Sequence, residues 1–181
     1  MHLILLEEKS KDLYIKFCTA KDINCQIHIL EKLSNDEPEL IRRAVAGNEN
    51  CPIHILEKLC NDSNKEVRSA VAENQNCPIH ILEKLSNDED ETVRSSVSFN
   101  KNVSISILKD LIKDEDWVVR CSVASNSKTT ISMLEYLSED KDNNVLCSVI
   151  KNTNCPIYLF EKFKTYKNIY VKSAIAENKN C

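Results

Sequence analysis

Cys25 and His28, Cys51 and His54, and Cys77 and His80 repeat one phrase, a cysteine with a histidine three residues on, at intervals of 26 residues. Cysteine and histidine are both zinc ligands, and the ligands of one ion converge to about 2.0–2.3 Å from it. One Cys and one His supply only half of a tetrahedral set, and the next pair stands a full repeat away. The proline after Cys51 and Cys77 turns the thiol toward a helix end or the core. These cysteines therefore read as small buried hydrophobes rather than ligands, and no metal is expected. The histidines read as solvated or hydrogen-bonded, since Ser106, Ser132 and Tyr158 replace them in later copies.

Nucleophilic or acid–base catalysis finds no better footing. His2, His28, His54 and His80 occupy equivalent places, so no feature marks one of them as a catalytic base. The carboxylates concentrate in short segments such as "SNDEDE", where capping and solubility account for them. The expectation is a protein that is not an enzyme and carries no cofactor.

A cation recurs with the same period: Lys16, Arg42, Arg68, Arg94, Arg120 and Lys172, interrupted by Leu146. An aspartate stands six places before each of four arginines: Asp36, Asp62, Asp88 and Asp114. A row of guanidinium groups could grip phosphates or carboxylates of a partner. The structural alternative pairs each arginine with the aspartate six places earlier, or with its counterpart in the next copy, by charge-assisted hydrogen bonds. Where arginine becomes Leu146 the Asp140 remains, and where aspartate becomes Tyr166 the cation is reduced to Lys172. That pattern favours a structural ladder.

These residues are positioned by six copies of one unit, at 25–50, 51–76, 77–102, 103–128, 129–154 and 155–180, none gaining or losing a residue. Repeats of this size bury their apolar faces only by stacking on their neighbours. Counted from the Cys as place 1, apolar residues fall at places 3, 5, 6 and 9 and again at 17, 20, 21 and 22. Both sets have helical spacing and predict two short helices, A and B. Pro52, Pro78 and Pro156 mark the first turn of helix A, with Asn50, Asn76 and Asn154 or the place-1 residue as its cap. Asp90 and Asp116 lie at the start of helix B, where carboxylates favour the helix dipole. Helix B is expected to stop at a recurring asparagine (Asn48, Asn74, Asn100, Asn126, Asn152, Asn178) in the left-handed conformation. Residues 1–24 read as a capping half-repeat, with Lys16 in the arginine place and Asp22 in the asparagine place and "LILLEEK" covering the end of the stack.

The string "NDSNKEVRSAVAENQNCPIHILEKL" resembles the units of the leucine-rich repeat variant family, with Cys77 where that family has threonine. The spacing of Asp62 to Val67 and Arg68 is also similar to HEAT-like repeats. The resemblance covers residues 25–180 and implies an all-α, right-handed α-solenoid of helix–turn–helix repeats, with helix A partly in 3₁₀ form. A founding member of that family adds an iron–sulfur centre on clustered N-terminal cysteines. Only Cys18 and Cys25 stand in that region here, so that cofactor does not carry over.

The net charge of −4 argues against a general nucleic-acid binder. An exception is the last repeat, where Lys162, Lys164, Lys167 and Lys172 interleave with Tyr166 and Tyr170 as single-strand binding would use them. There is no signal-peptide pattern or membrane span. The nine cysteines are an odd number, and Cys25, Cys51, Cys77, Cys155 and Cys181 share one place. Helices stack about 8–10 Å apart and a disulfide needs Cα atoms within about 7 Å, so reduced thiols and a cytoplasmic location are expected. What varies between copies is helix B at places 15, 16, 19 and 23. There Phe99, Trp117, Val118 and Cys121 would form an apolar centre for binding another protein.

Overall fold

In the computed structural model residues 2–178 are described, with side chains from residue 10 onward. Thirteen helices follow one another and no strand occurs among the described residues. They are α1 (His2–Lys21), α2 (Ile27–Leu33), α3 (Glu39–Ala46), α4 (Ile53–Leu59), α5 (Lys65–Glu73), α6 (Ile79–Leu85) and α7 (Glu91–Phe99). Then come α8 (Ile105–Leu111), α9 (Trp117–Ser125), α10 (Ile131–Leu137), α11 (Asn143–Lys151), α12 (Ile157–Lys164) and α13 (Ile169–Glu177). From α2 onward, even numbers are A helices and odd numbers are B helices, so the fold is an all-α series of helical hairpins. The chain groups into two compact units, Met1–Leu85 and Ser86–Cys181, the division falling between the A and B helices of the third repeat. The "LILLEEK" cap, His2 and Cys181 lie outside the residues whose side chains are described.

Within each unit the B helices pack directly on one another, α1 on α3 on α5 and α7 on α9 on α11 on α13, while successive A helices stand farther apart. The core is built from the inward stripe of each helix. Place 6 of helix A is fully buried at Leu30, Leu56, Leu82, Leu108 and Leu134, and place 17 of helix B at Ile41, Val67, Val93, Val119, Val145 and Val171. Each such aliphatic side chain stabilises the stack by about 1.5–3 kcal/mol. Place 3 behaves otherwise. Ile53, Ile105 and Ile131 are about half exposed, at 52%, 47% and 51%. At 100° per residue, place 3 lies roughly 110° from the face made by places 5, 6 and 9, so the expected core position is a surface row.

Two expected caps take a different form. Helix A begins at place 3, and the proline precedes it: Pro52 and Pro156 are extended N-cap residues without a side-chain cap bond. Where proline is replaced, Ser104 accepts from the Ile107 N–H and Thr130 from the Met133 N–H. All six A helices are α-helical, not 3₁₀. The asparagine after helix B is not left-handed either. Asn74 has φ −61° and ψ 125° and Asn152 φ −68° and ψ 132°, and no residue described has positive φ.

The asparagine serves instead as a joint between repeats. Asn48 Nδ2 donates to Ala20 O (2.7 Å) and Asp22 O (2.9 Å); Asn74 donates to Ala46 O (2.7 Å) and Asn48 O (2.9 Å). Asn152 reaches Ala124 O (2.6 Å) and Asn126 O (3.0 Å) in the second unit. The Oδ1 of each accepts the N–H two residues on, at Asn50, Asn76 and Asn154. The amide thus satisfies carbonyls left open at the C-terminus of the preceding B helix. Asn50 and Asn154, expected as caps of helix A, also reach back, to Ile23 O and Ser127 O.

Candidate functional site

The place-18 cations meet the aspartates of the following repeat. Arg42 Nε and Nη2 donate to Asp62 Oδ2 and Oδ1 at 2.6 and 2.9 Å, while Nη1 donates to the carbonyls of Asp36 and Glu37. Arg94 grips Asp114 at 2.7 and 2.9 Å and the carbonyls of Asp88 and Glu89. Arg120 grips Asp140 at 2.6 and 3.0 Å and the carbonyls of Asp114 and Glu115. Lys16 lies 3.1 Å from Asp36, and Arg68 is buried with Nη1 on Asp62 O. The aspartate six places earlier therefore contributes its main chain, and the one twenty places later its carboxylate. Burial acts to raise the Asp62 and Asp140 carboxyls, but the guanidinium and a backbone N–H outweigh it and hold both below the ordinary carboxylate range.

Asp62, Asp88, Asp114 and Asp140 also each start a stair of main-chain bonds. Asp114 Oδ1 accepts from Asp116 N–H, and Asp116 Oδ1 accepts from Val118 N–H at the head of α9. Asp88, Asp90 and Thr92 repeat the arrangement at α7. The acidic turn thus orders the interhelical loop and caps helix B. Nε, Nη1 and Nη2 of Arg42, Arg94 and Arg120 all donate, each pair tying one repeat to the next.

The candidate partner surface is only partly assembled. Trp117 is 43% exposed at the first position of α9, and Val118 beside it is half-buried. Phe99 is 60% exposed but ends α7, at the opposite end of the stacked pair. Eight helical residues rise about 12 Å and one stacking step adds about 8–10 Å, so the two rings are on the order of 15 Å apart. Place 19 turns inward, into the seam between neighbouring B helices. Ser69 and Ser95 are buried there, and Ser95 Oγ lies 2.7 Å from Ser122 Oγ. Cys121 occupies the same seam, half-buried, its thiol raised by burial against a hydrogen bond with Ser148. A B helix packs on both flanks, and that leaves a narrower outer arc than spacing alone implies.

In the basic last repeat, Lys162 Nζ is held by Ser138 and Glu139, and Lys164 pairs with Glu161. Lys167 and Lys172 are exposed, as is Tyr170 at 73%. His54 Nε2 stands 3.1 Å from Glu31 Oε1 and His80 Nε2 3.2 Å from Glu57 Oε1, both at the exposed surface of helix A. Among the described residues no three His, Cys, Asp or Glu side chains are grouped to hold a metal. Among the described residues eight cysteines are free thiols. Burial pushes Cys51 and Cys77 up to about 12. Among the described residues no helix is long and apolar enough to cross a membrane.

No protein-family model matches the chain. No curated protein matches it. Among solved structures the chain is similar to one described as a leucine-rich repeat variant with a novel repetitive protein structural motif, at 25% identity over 86% of this chain and 72% of that one, with a TM-score of 0.49.

Proposed function

We propose that this chain is a non-catalytic repeat scaffold that binds another protein through the outer arc of its B helices, with Trp117 and Val118 as the apolar anchor. The observation that carries this reading is Trp117, a large aromatic left 43% exposed on a helix whose neighbours along the seam are buried serines and valines. Exposed tryptophans on a rigid frame are the residues that most often dominate a binding interface. A cytosolic setting fits this reading, since cysteines at one place per repeat stand about 8–10 Å apart, farther than a disulfide spans.

Affinity capture from the native cell with wild type, Trp117→Ala and Phe99→Ala tests it, after melting curves establish that all three are equally folded. The expected result is a protein retained by wild type and Phe99→Ala and lost with Trp117→Ala. Identical capture by all three overturns the assignment.

A further inference from the structure

Place 8 of helix A is a lysine that staples successive repeats together. Lys58 Nζ donates to Ser34 O (2.9 Å), Ser34 Oγ (3.0 Å) and Asn35 Oδ1 (2.6 Å) of the repeat before. Lys84 reaches Asn61 Oδ1. Lys162 donates to Ser138 O and Oγ, both at 2.8 Å, and to Glu139 Oε1 at 2.6 Å. Lys58 thus sits in a socket of carbonyl, hydroxyl and amide oxygens, Lys162 in one of carbonyl, hydroxyl and carboxylate oxygens, and Lys84 on an amide oxygen.

Two junctions of the second unit lack it. In the fourth repeat the place is Asp110 and in the fifth it is Tyr136, and at each a groove opens. The first, about 410 Å³, is lined by Ser86, Asn87, Asp110, Leu111 and Glu115 among others. Ser86 and Asn87 are the counterparts of Ser34 and Asn35 and bond to one another, Asn87 Nδ2 donating to Ser86 Oγ at 3.4 Å, so the place where related junctions hold a cation here faces the Asp110 carboxylate. Asp114, on the same wall, is already gripped by Arg94. The second groove, about 580 Å³, has Ile112 and the half-exposed Tyr136 as its apolar lining, and Asp114 and Glu115 line both. The grooves adjoin, one acidic and one aromatic.

We propose that these grooves bind one extended peptide of a partner protein. A lysine or arginine of that peptide enters the socket at Asp110 and Glu115, and an apolar side chain lies on Tyr136 and Ile112. Charge complementarity selects the first side chain: the internal lysines show what this socket accepts. The stacking step selects the second. Repeats are about 8–10 Å apart and an extended chain advances about 3.3 Å per residue, so the two side chains stand about three residues apart. Trp117 lines neither groove, and the site stands or falls separately from the B-helix surface.

The test titrates the isotope-labelled full chain, followed by backbone amide resonances, with three soluble Gly/Ser decapeptides. One carries Lys and Leu three positions apart, one has Glu for the Lys, and one has Ser for the Leu. The first should shift amides of residues 110–115 and 136–141, with affinity falling as salt rises, and the others should bind at least about tenfold more weakly. Asp110→Lys places the missing staple in its socket, so it should keep or raise the melting temperature while abolishing the shifts, and Trp117→Ala should leave them unchanged. Equal binding of the Lys and Glu peptides, undiminished binding to Asp110→Lys, or no shift with the first peptide at about millimolar concentration overturns the proposal.

Discussion

Leu146 and Tyr166 stand at the two positions that elsewhere hold an arginine and the aspartate it grips twenty residues on. Leu146 is 1% exposed, and Tyr166 lies edge-on to Phe163 with ring centroids 5.7 Å apart. Both halves of one ion pair are exchanged together for apolar groups, while Asp140 keeps its own partner, Arg120, in the repeat before. Replacing a buried pair whole is often neutral, whereas removing one member strands a charge. Arg94→Leu alone should destabilise the protein by about 3 kcal/mol, since Arg94 and Asp114 side chains are only 11% and 7% exposed. Arg94→Leu with Asp114→Tyr should recover most of that loss in urea denaturation. A double variant no more stable than the single one contradicts the equivalence of the two pairs.

The asparagine joint should be as costly to remove. Asn152→Ala leaves the Ala124 carbonyl and the Asn154 N–H without their partner, at about 1–3 kcal/mol per buried group left unsatisfied, while Asn126 O loses one donor and keeps the Thr129 N–H. Asn152→Asp should be worse, because it turns a carboxylate oxygen toward two carbonyl oxygens. At the N-terminal place Asp22 keeps only the acceptor half, taking the Asn24 N–H. Thermal melts of the two variants decide the order.

Acid should loosen the ladder. Asp62 and Asp140 have folded-state values below the ordinary carboxylate value of about 3.9. The unfolded chain therefore binds more protons as pH falls, so their contribution is fully present above about pH 4 and is lost as pH drops through the folded values. Stability measured from pH 6 down to pH 2 should fall chiefly below about pH 4, and the fall should shrink in Arg120→Leu, where Asp140 has lost its cation.

Thiol labelling separates the cysteines. Cys51 and Cys77 are buried and pushed up to about 12, so at pH 8 they should react with a disulfide reagent only on unfolding, while the exposed Cys18 reacts at once. Cys51→Thr should change stability by less than about 1.5 kcal/mol, because Thr129 already fills the same place fully buried, its hydroxyl donating to Val123 O. A large loss of stability would show that the thiol does more than fill space.

The helices themselves were legible in the sequence, because places 5, 6, 9, 17, 20 and 21 carry a helical spacing and Asp90 and Asp116 announce helix B. The register of the ladder was harder to read. Asp36 is nearer to Arg42 in sequence than Asp62 is, and it does touch the arginine, through its carbonyl. The paired replacement of arginine by Leu146 and of aspartate by Tyr166 carries the answer, but it crosses a repeat boundary and a reading confined to one repeat misses it. Within one repeat the place-24 asparagines look like a local stop signal, because their work lies 26 to 28 residues away. Helical spacing alone points Cys121 outward because it describes one helix, and the seam that half-buries Cys121 is made by two. The exposed row at place 3 is apolar and regular, and regular apolar residues read as core until the packing of helix A is known.

The asparagine joint engages only main-chain carbonyls, which every residue supplies whatever its side chain. A copied or excised repeat therefore finds its hydrogen-bond acceptors already in place at either new junction, whereas the ion ladder demands that two side chains match. An array held this way can change length by unequal recombination in a single event. The arginine, aspartate and lysine positions can then diverge, as Asp110, Tyr136, Leu146 and Tyr166 have, without the backbone coming apart. Tolerance of lengthening is written into the amide, and novelty into the charges.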